Sequence, residues 1–263
     1  IFPLASKPIE YIFLTQNQFE ETTDVYREKL IIVKASENRG FAAANNIGAR
    51  YVMKFDVFNY LWLLNNDTVL FTDSISNMLE PIIFPAYKYV GIIGVKQLYY
   101  SNSNRIQACG AVYNKFWSLS KHIGEYEIDK GQYDHCIDTS DYVVGASMLV
   151  SVDFLLDVGY MCEDYFLYYE EIDWAQRAKL KGYSIKIHQN AKILHKQGGT
   201  IGKFKTRSSL AEFSSIKSRI LITRKFFPNY IFTVYLSMVG VLINRIRRME
   251  FSHIPNVLKA IYS

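Results

Sequence analysis

Cysteine is scarce in this chain, with Cys109, Cys136 and Cys162 as its whole complement in 263 residues. Three widely spaced thiols make neither a disulfide framework nor a zinc-ligand pattern, so a reducing compartment is the simplest setting. Charge of one sign is equally thin: 30 Lys and Arg face 25 Asp and Glu, for a formal net charge of +5. That balance falls short of a nucleic-acid footprint but suits anionic nucleotides or anionic lipid. The chain does not open on a basic stretch followed by an apolar core, so no signal peptide is read there. It begins with Ile1 rather than Met, and a start further upstream is expected.

What is present is ordinary globular composition, 49% hydrophobic and 21% charged, enough for one large α/β domain plus an appendage. Aromatic residues reach 15%, which agrees with a carbohydrate-handling or membrane-adjacent surface without requiring either. The patterning predicts strands at Ile9 to Leu14 and Leu30 to Val33, with a helix from Phe19 to Lys29 between them. A small-residue helix, Ala42 to Lys54, leads into an apolar strand at Leu61 to Leu64. A helix from Ser74 to Leu79, stopped by Pro81, and a strand from Val90 to Val95 follow. Strand and helix alternate as in a doubly wound sheet. The segment from Tyr99 to Tyr142 reads as hairpins and loops over the site, and Gly182 to Ile187 as an edge strand separate from Ala191 to His195.

The chemistry gathers where apolar runs stop. Leu61-Trp62-Leu63-Leu64 suits a strand covered on both faces, and it ends abruptly in Asn65-Asn66-Asp67-Thr68. Ligands of such sheets sit beyond the strands' carboxyl ends, where Asp67 can offer a hard oxygen to a divalent cation and the amides can bond sugar hydroxyls. An Asn-Asp turn explains the same residues. Asn38-Arg39-Gly40-Phe41, with Asn45 and Asn46, allows close backbone approach, although a tightly packed helix accounts for it equally well. Gly145-Ala146 sits in an apolar stretch as if something needs room there.

From Glu170 the acidic cluster has helical spacing, with Glu170, Asp173 and Arg177 on one face as a self-satisfying network. Glu171 is left to project as a general base, against the alternative of a solvated acidic helix start. Trp174 and the neighbouring tyrosines read as core. His195 ends an apolar run and can complete a mixed N/O metal site with Asp67, or be structural.

Six motifs in this order resemble glycosyltransferase family 2, and in particular its rhamnosyltransferase-like members of the GT-A fold. They are Asn38-Arg39-Gly40-Phe41 with Asn45-Asn46, Leu64-Asn65-Asn66-Asp67-Thr68, Gly145-Ala146, Tyr168 to Trp174 with Arg177, Gly182-Tyr183, and His195. The resemblance implies a doubly wound mixed sheet over residues 1–206 and a C-terminal helical appendage over 207–263. It places Asn38, Gly40, Asn45, Asn65 and Asp67 on the donor side, Asp67 and His195 on Mn²⁺ or Mg²⁺, and Glu171 as the catalytic base. Gly145, Ala146, Glu170, Asp173, Trp174 and Arg177 fall on the acceptor side or in structural support. The implied activity is inverting transfer of a sugar from a UDP or dTDP donor to a saccharide or lipid-linked acceptor in bacterial surface polysaccharide synthesis. The implied location is the cytoplasm or the inner face of the plasma membrane.

The chain departs from that family at its beginning. The family's first strand is lacking, and Gln16-Asn17-Gln18-Phe19 stands where the family carries an acid. The resemblance therefore implies an unpaired edge on Ile9 to Leu14 and weakened grip on ribose and base, and it leaves an inactive remnant or interaction module as the alternative. The tail from Tyr230 to Ile243 is almost wholly apolar and meets Arg245, Arg247 and Arg248. At about 14 residues it suits an interfacial helix better than a span of roughly 20, or a helix packed on the domain or on a second copy.

Overall fold

The computed structural model describes residues 9–84, 87–134, 140–196 and 209–262. Cys136 and the expected boundary at 206/207 lie outside them, and Cys109 and Cys162 are free thiols. A six-stranded mixed sheet runs β3 (Tyr60–Leu64), β9 (Ser147–Ser151), β5 (Val90–Tyr99), β10 (Ser184–His195), β4 (Thr68–Leu70), with β6 (Asn102–Ala108) also on β5. Only β5 and β10 pair in parallel within it. All ten residues of β5 are buried, which places the core along this strand. Even Lys96 is wholly enclosed there, bonded to Asp129 at 2.9 Å and Asp134 at 2.5 Å, so a buried charge pins the 129–134 loop to the sheet.

A separate two-stranded parallel sheet joins β1 (Tyr11–Thr15) to β2 (Leu30–Lys34). The edge of β1 away from β2 carries no partner strand among the described residues, and Tyr11 and Phe13 stand exposed. Its own small cluster, Leu14, Phe19 and Ile47, packs it on helix α2 (Phe41–Lys54).

Several expectations are corrected. The first helix, α1, covers Gln16–Glu21 rather than Phe19 to Lys29, because Thr15 caps it and Gln18 returns the bond to complete a capping box. β3 carries apolar cover on both faces as expected, Leu61 and Leu63 on the main cluster and Tyr60 and Trp62 on a second one, but it is the edge strand of the main sheet, antiparallel to β9, and of its residues only Leu63 is fully buried. Helix α3 (Ser74–Leu79), by contrast, has the expected bounds, and a 3₁₀ turn over Glu80–Ile83 takes the chain on through Pro81, since proline fits the first turn of such a segment. The two short strands expected at residues 182–187 and 191–195 form one long β10, which is central between β5 and β4 and not an edge. Register shifts at Ser184/Ile185 and His188/Lys192 absorb the irregularity that made it read as two. Strands β7 (Ala111–Asn114) and β8 (Leu119–His122) form the expected hairpin over the sheet.

After β9 comes α4 (Val152–Val158), and then α5 (Glu170–Leu180), which packs with Ile172, Trp174, Ala175 and Ala178 in the main core. Its polar face is only partly the network expected. Asp173, fully buried, accepts from Arg177 Nε at 2.7 Å, Lys225 Nζ at 2.5 Å and Tyr165 Oη at 3.2 Å. Glu170 does not join: it is buried with Oε2 unpartnered, and its place is taken by Lys225, from a helix distant in sequence. Lys225 belongs to α6 (Ser209–Phe226), which also sends Ile222 into the main core. Helices α7 (Ile231–Arg247) and α8 (Ile254–Tyr262) build a further cluster on α6 around Val234, Met238 and Val257.

Two outcomes test these packing arguments. Gly40 has φ +95°, and an added Cβ would lie 2.0 Å from the Phe166 carbonyl oxygen, so Gly40→Ala should cost about 1–3 kcal/mol in chemical denaturation. Burial, then the charge of Glu171, holds the Glu170 carboxyl well above the usual range. A carboxyl raised in the fold favours folding below its unfolded pKa and loses that contribution as pH rises through the folded value. Thermal melts of Glu170→Gln should therefore match the parent near about pH 4 and exceed it near about pH 8. A constant offset across that window would contradict the assignment.

Candidate active site

The register of the main sheet brings the polar tips together. Leu64 at the end of β3 pairs with Ser147 at the start of β9, Tyr99 at the end of β5 pairs with His195 at the end of β10, and His195 pairs with Thr68 at the start of β4. All these ends lie along one edge of the sheet, beyond which a ligand would sit.

The Asn65–Thr68 turn is held from both sides. Asn65 N donates to Ala146 O at 3.0 Å, Thr68 N and Oγ1 donate to Asn65 O at 3.2 and 2.7 Å, and Lys196 N donates to Asp67 O at 2.9 Å. This fixes the Asp67 carboxylate, whose Oδ1 is buried without a hydrogen-bond partner and stands 3.2 Å from His195 Nε2. On its other side the imidazole Nδ1 lies 2.9 Å from Gln107 Oε1, to which it donates in the tautomer that carries its proton there. Burial lowers the His195 pKa against the pull of Asp67, which favours the neutral ring. A neutral ring with Nδ1 protonated turns its Nε2 lone pair toward a carboxylate oxygen. Two facing acceptors repel unless a cation lies between them, so the orphaned Asp67 Oδ1 and the His195 nitrogen fit a divalent cation of mixed O/N taste. Among the described residues no third His, Cys, Asp or Glu joins them, which leaves further coordination to substrate oxygens and water.

Glu171 reaches the same region from α5. Tyr168 and Tyr169 precede the helix at φ +69° and +76°, a left-handed pair that starts α5 abruptly and sets Glu171 in its first turn. The Tyr169 hydroxyl is tied down by donating to Ser118 O at 2.7 Å. Glu171 Oε1 accepts from Gly145 N at 3.2 Å, and a Cβ on Gly145 would lie 2.5 Å from that oxygen. The room anticipated at Gly145 is thus occupied by the carboxylate. Burial pushes the Glu171 pKa up, opposed by its own N–H and that of Gly145, which suits a group that must take a proton near neutral pH.

The other sequence candidates go elsewhere. Asn38 Oδ1 accepts from Gly40 N at 3.1 Å, Gly40 lies against Phe166, and Phe41 N donates to Phe166 O at 3.1 Å. Asn45 bonds its own helix at Phe41 O, 2.9 Å away. Gly40 and Phe41 thus fasten the start of α2 to the 161–166 loop, Asn38 and Asn45 bond within their own segment, and none of these contacts includes the Asp67 turn. Asn46, quoted with that motif but given no role of its own, makes the firmest link there: buried, it donates to Met161 O and Glu163 Oε1 at 2.9 Å and accepts from Met161 N at 3.1 Å. Gln107 and Gln97 were missed. Gln97 Nε2 donates to Val144 O at 3.2 Å, next to Gly145. Both lie on well-formed strands with no local motif to mark them. Trp174 is core, its indole N–H donating to Gly159 O at 2.9 Å. A cavity of about 500 Å³ lies beside α5, walled by Tyr113, Phe116, Phe227 and Tyr230, and includes neither Asp67 nor Glu171.

No family model matches the chain. It is 22% identical over 214 residues to the low-salt glycan biosynthesis hexosyltransferase Agl10 of Haloferax volcanii, a match covering 81% of this chain and 66% of that relative. Among solved structures it superposes on GalNAc-T7, crystallised with UDP, GalNAc and Mn²⁺, with a TM-score of 0.54 at 12% identity, over 76% of this chain and 37% of the other. The mannosyltransferase PcManGT of Pyrobaculum calidifontis, in complex with GDP-Man and Mn²⁺, gives 0.45 at 11% identity, over 89% and 57%. The central mixed sheet with its gathered polar edge is therefore the GT-A glycosyltransferase fold, in a chain similar in sequence to a hexosyltransferase.

Proposed function

We propose that this chain is an inverting glycosyltransferase, moving a hexosyl group from a nucleoside-diphosphate sugar of the UDP or dTDP type to a hydroxyl of a saccharide or lipid-linked acceptor. One observation carries the reading. Gly145 bonds the Glu171 carboxylate while the next residue, Ala146, bonds the turn that bears Asp67, so a single short backbone segment sets base and metal tip against each other.

The chemistry follows from that spacing. The Glu171 carboxylate takes the proton of the acceptor hydroxyl as its oxygen bonds to the anomeric carbon. The bond from that carbon to the diphosphate breaks on the opposite face, and the nucleoside diphosphate leaves with the electron pair. One displacement inverts the centre. Asp67 and His195 would hold the divalent cation, which when bound supplies neutralisation of the diphosphate charge. Support for this donor class comes from the GalNAc-T7 complex, which contains UDP and Mn²⁺, and support for a glycan-building role from the Haloferax hexosyltransferase. That relative is archaeal, and the bacterial surface-polysaccharide setting expected from the sequence belongs to this proposal alone.

A second reading, a non-catalytic binding module, draws on β1 having no second partner strand among the described residues and on the engagement of Asn38 with Gly40, of Gly40 with Phe166 and of Asn45 with its own helix. Calorimetry with UDP- and dTDP-sugars plus Mn²⁺, alongside a transfer assay, separates the two. Asp67→Ala should abolish metal-dependent donor binding, whereas Glu171→Gln should keep it and lose roughly 10²- to 10⁴-fold in transfer. Equal loss of donor affinity in both variants would refute the division of roles, and donor binding without transfer by the parent chain would favour the module.

His195→Ala should weaken the metal and narrow the preference for Mn²⁺ over Mg²⁺, since an imidazole biases a site that way. An unchanged metal titration would return His195 to a purely structural position.

A further inference from the structure

Helix α7 leaves an unusual face to solvent. Phe232, Leu236, Val239, Ile243 and Ile246 recur at alternating spacings of four and three, one stripe along the helix, and each is between 49% and 75% exposed. Met249 and Phe251 extend it past the helix end, also exposed. The segment Pro228–Arg247 is long and apolar enough to cross a bilayer. Its inner face rules that out in this fold. Val234 and Met238 are buried on α6 and α8, Ser237 Oγ accepts from Arg219 Nη2 at 2.7 Å, and Arg245 pairs with Glu212 at 2.5 Å and with Glu250. A spanning helix meets lipid all round, and extracting these polar partners into hydrocarbon is costly.

The charges say what covers the outer face. From Pro228 to Met249 there is no Asp or Glu, and beyond the committed Arg245 the exposed Arg247 and Arg248 close the stripe at one end. At the other end Arg224 is exposed and donates to Tyr235 Oη at 2.6 Å. Lys259 of α8 is exposed as well. Two copies zipped through this stripe would find Glu250 as the one acid flanking it, already paired with Arg245 of its own chain, and a parallel pair would set arginine against arginine. An anionic lipid surface satisfies both features, taking the stripe into the acyl boundary and the cations among the headgroups.

We infer that α7 seats this protein on an anionic bilayer surface, lying in the interface by its Phe232–Ile246 stripe with Arg247 and Arg248 at the headgroups. The inference does not depend on the glycosyl-transfer reading. Its geometric consequence does bear on it: Lys225, one helix before α7, is bonded to Asp173 of α5, so the helix that presents Glu171 is held in fixed relation to the membrane-seated face. A lipid-linked acceptor is the substrate class such an arrangement serves.

The test is flotation of the full chain with vesicles of phosphatidylcholine alone and with about one-third phosphatidylglycerol. Binding should appear with the anionic vesicles and fall with salt. The doubly substituted Leu236→Asn, Ile243→Asn chain should bind roughly tenfold less or weaker. Arg247→Glu with Arg248→Glu should also lose roughly tenfold on anionic vesicles, with the melting temperatures of both variants checked against the parent. Failure to float with either vesicle overturns the inference. So does a dimer in solution that Leu236→Asn, Ile243→Asn converts to a monomer without any change in flotation, which would assign the stripe to a second copy. Because flotation needs no donor, an inactive chain that floats refutes only the catalytic reading.

Discussion

Two hydrogen bonds from neighbouring main-chain groups, Gly145 N–H to Glu171 and Ala146 C=O from Asn65 N–H, hold the site together. Each is an ordinary bond contributing about 1 kcal/mol net, yet together they tie helix α5 to the tip of β3 through the start of β9. The glycine is required by space and not by backbone conformation, because the carboxylate oxygen occupies the volume of a side chain. Helix α5 cannot compensate by sliding. Asp173 is clamped by Arg177 and Lys225, and Trp174 is immobilised in the core. The site is therefore preorganised by rigid elements on both sides, and its two carboxylates have distinct surroundings: Asp67 faces an imidazole nitrogen, and Glu171 faces an amide and a second, buried acid.

How far this was legible varied with the range of the interaction. Apolar runs that stop in polar residues marked Asp67 and His195, and the strand register gathers those ends at one sheet edge. The pairing of Asp173 with Arg177 was readable because it is local, four residues apart on one helix. Glu170 was assigned to the same network by the same spacing, and the structure gives its place to Lys225, fifty-two residues from Asp173 in sequence and on another helix. Asn46 outranks Asn45 for the same reason: its partners, Met161 and Glu163, lie more than a hundred residues on. Strand order was illegible too. Nothing in Leu61 to Leu64 distinguishes an edge strand from a central one, since four apolar residues suit either.

The C-terminal helices are more than an attachment. Arg219 of α6, buried, donates to Ser118 O at 3.1 Å and Trp117 O at 2.8 Å in the β7–β8 hairpin, and Ser118 O also receives the Tyr169 hydroxyl at 2.7 Å. One carbonyl thus joins the hairpin, α6 and the left-handed entry to α5. The strained pair Tyr168 and Tyr169 is supported from the C-terminal side of the chain, although it shapes a site built from the earlier sheet.

Among the described residues β1 and β2 pair with each other and with no further strand, which divides these residues into regions of unequal resistance to opening. Amide groups in β5, flanked by β9 and β10 and buried along its whole length, open only with the fold itself. β1 and β2 depend on five-residue pairing with each other and on a cluster of three buried side chains. That unit opens at far lower free energy, so exchange of its backbone protons with solvent proceeds while the rest of the sheet stays shut.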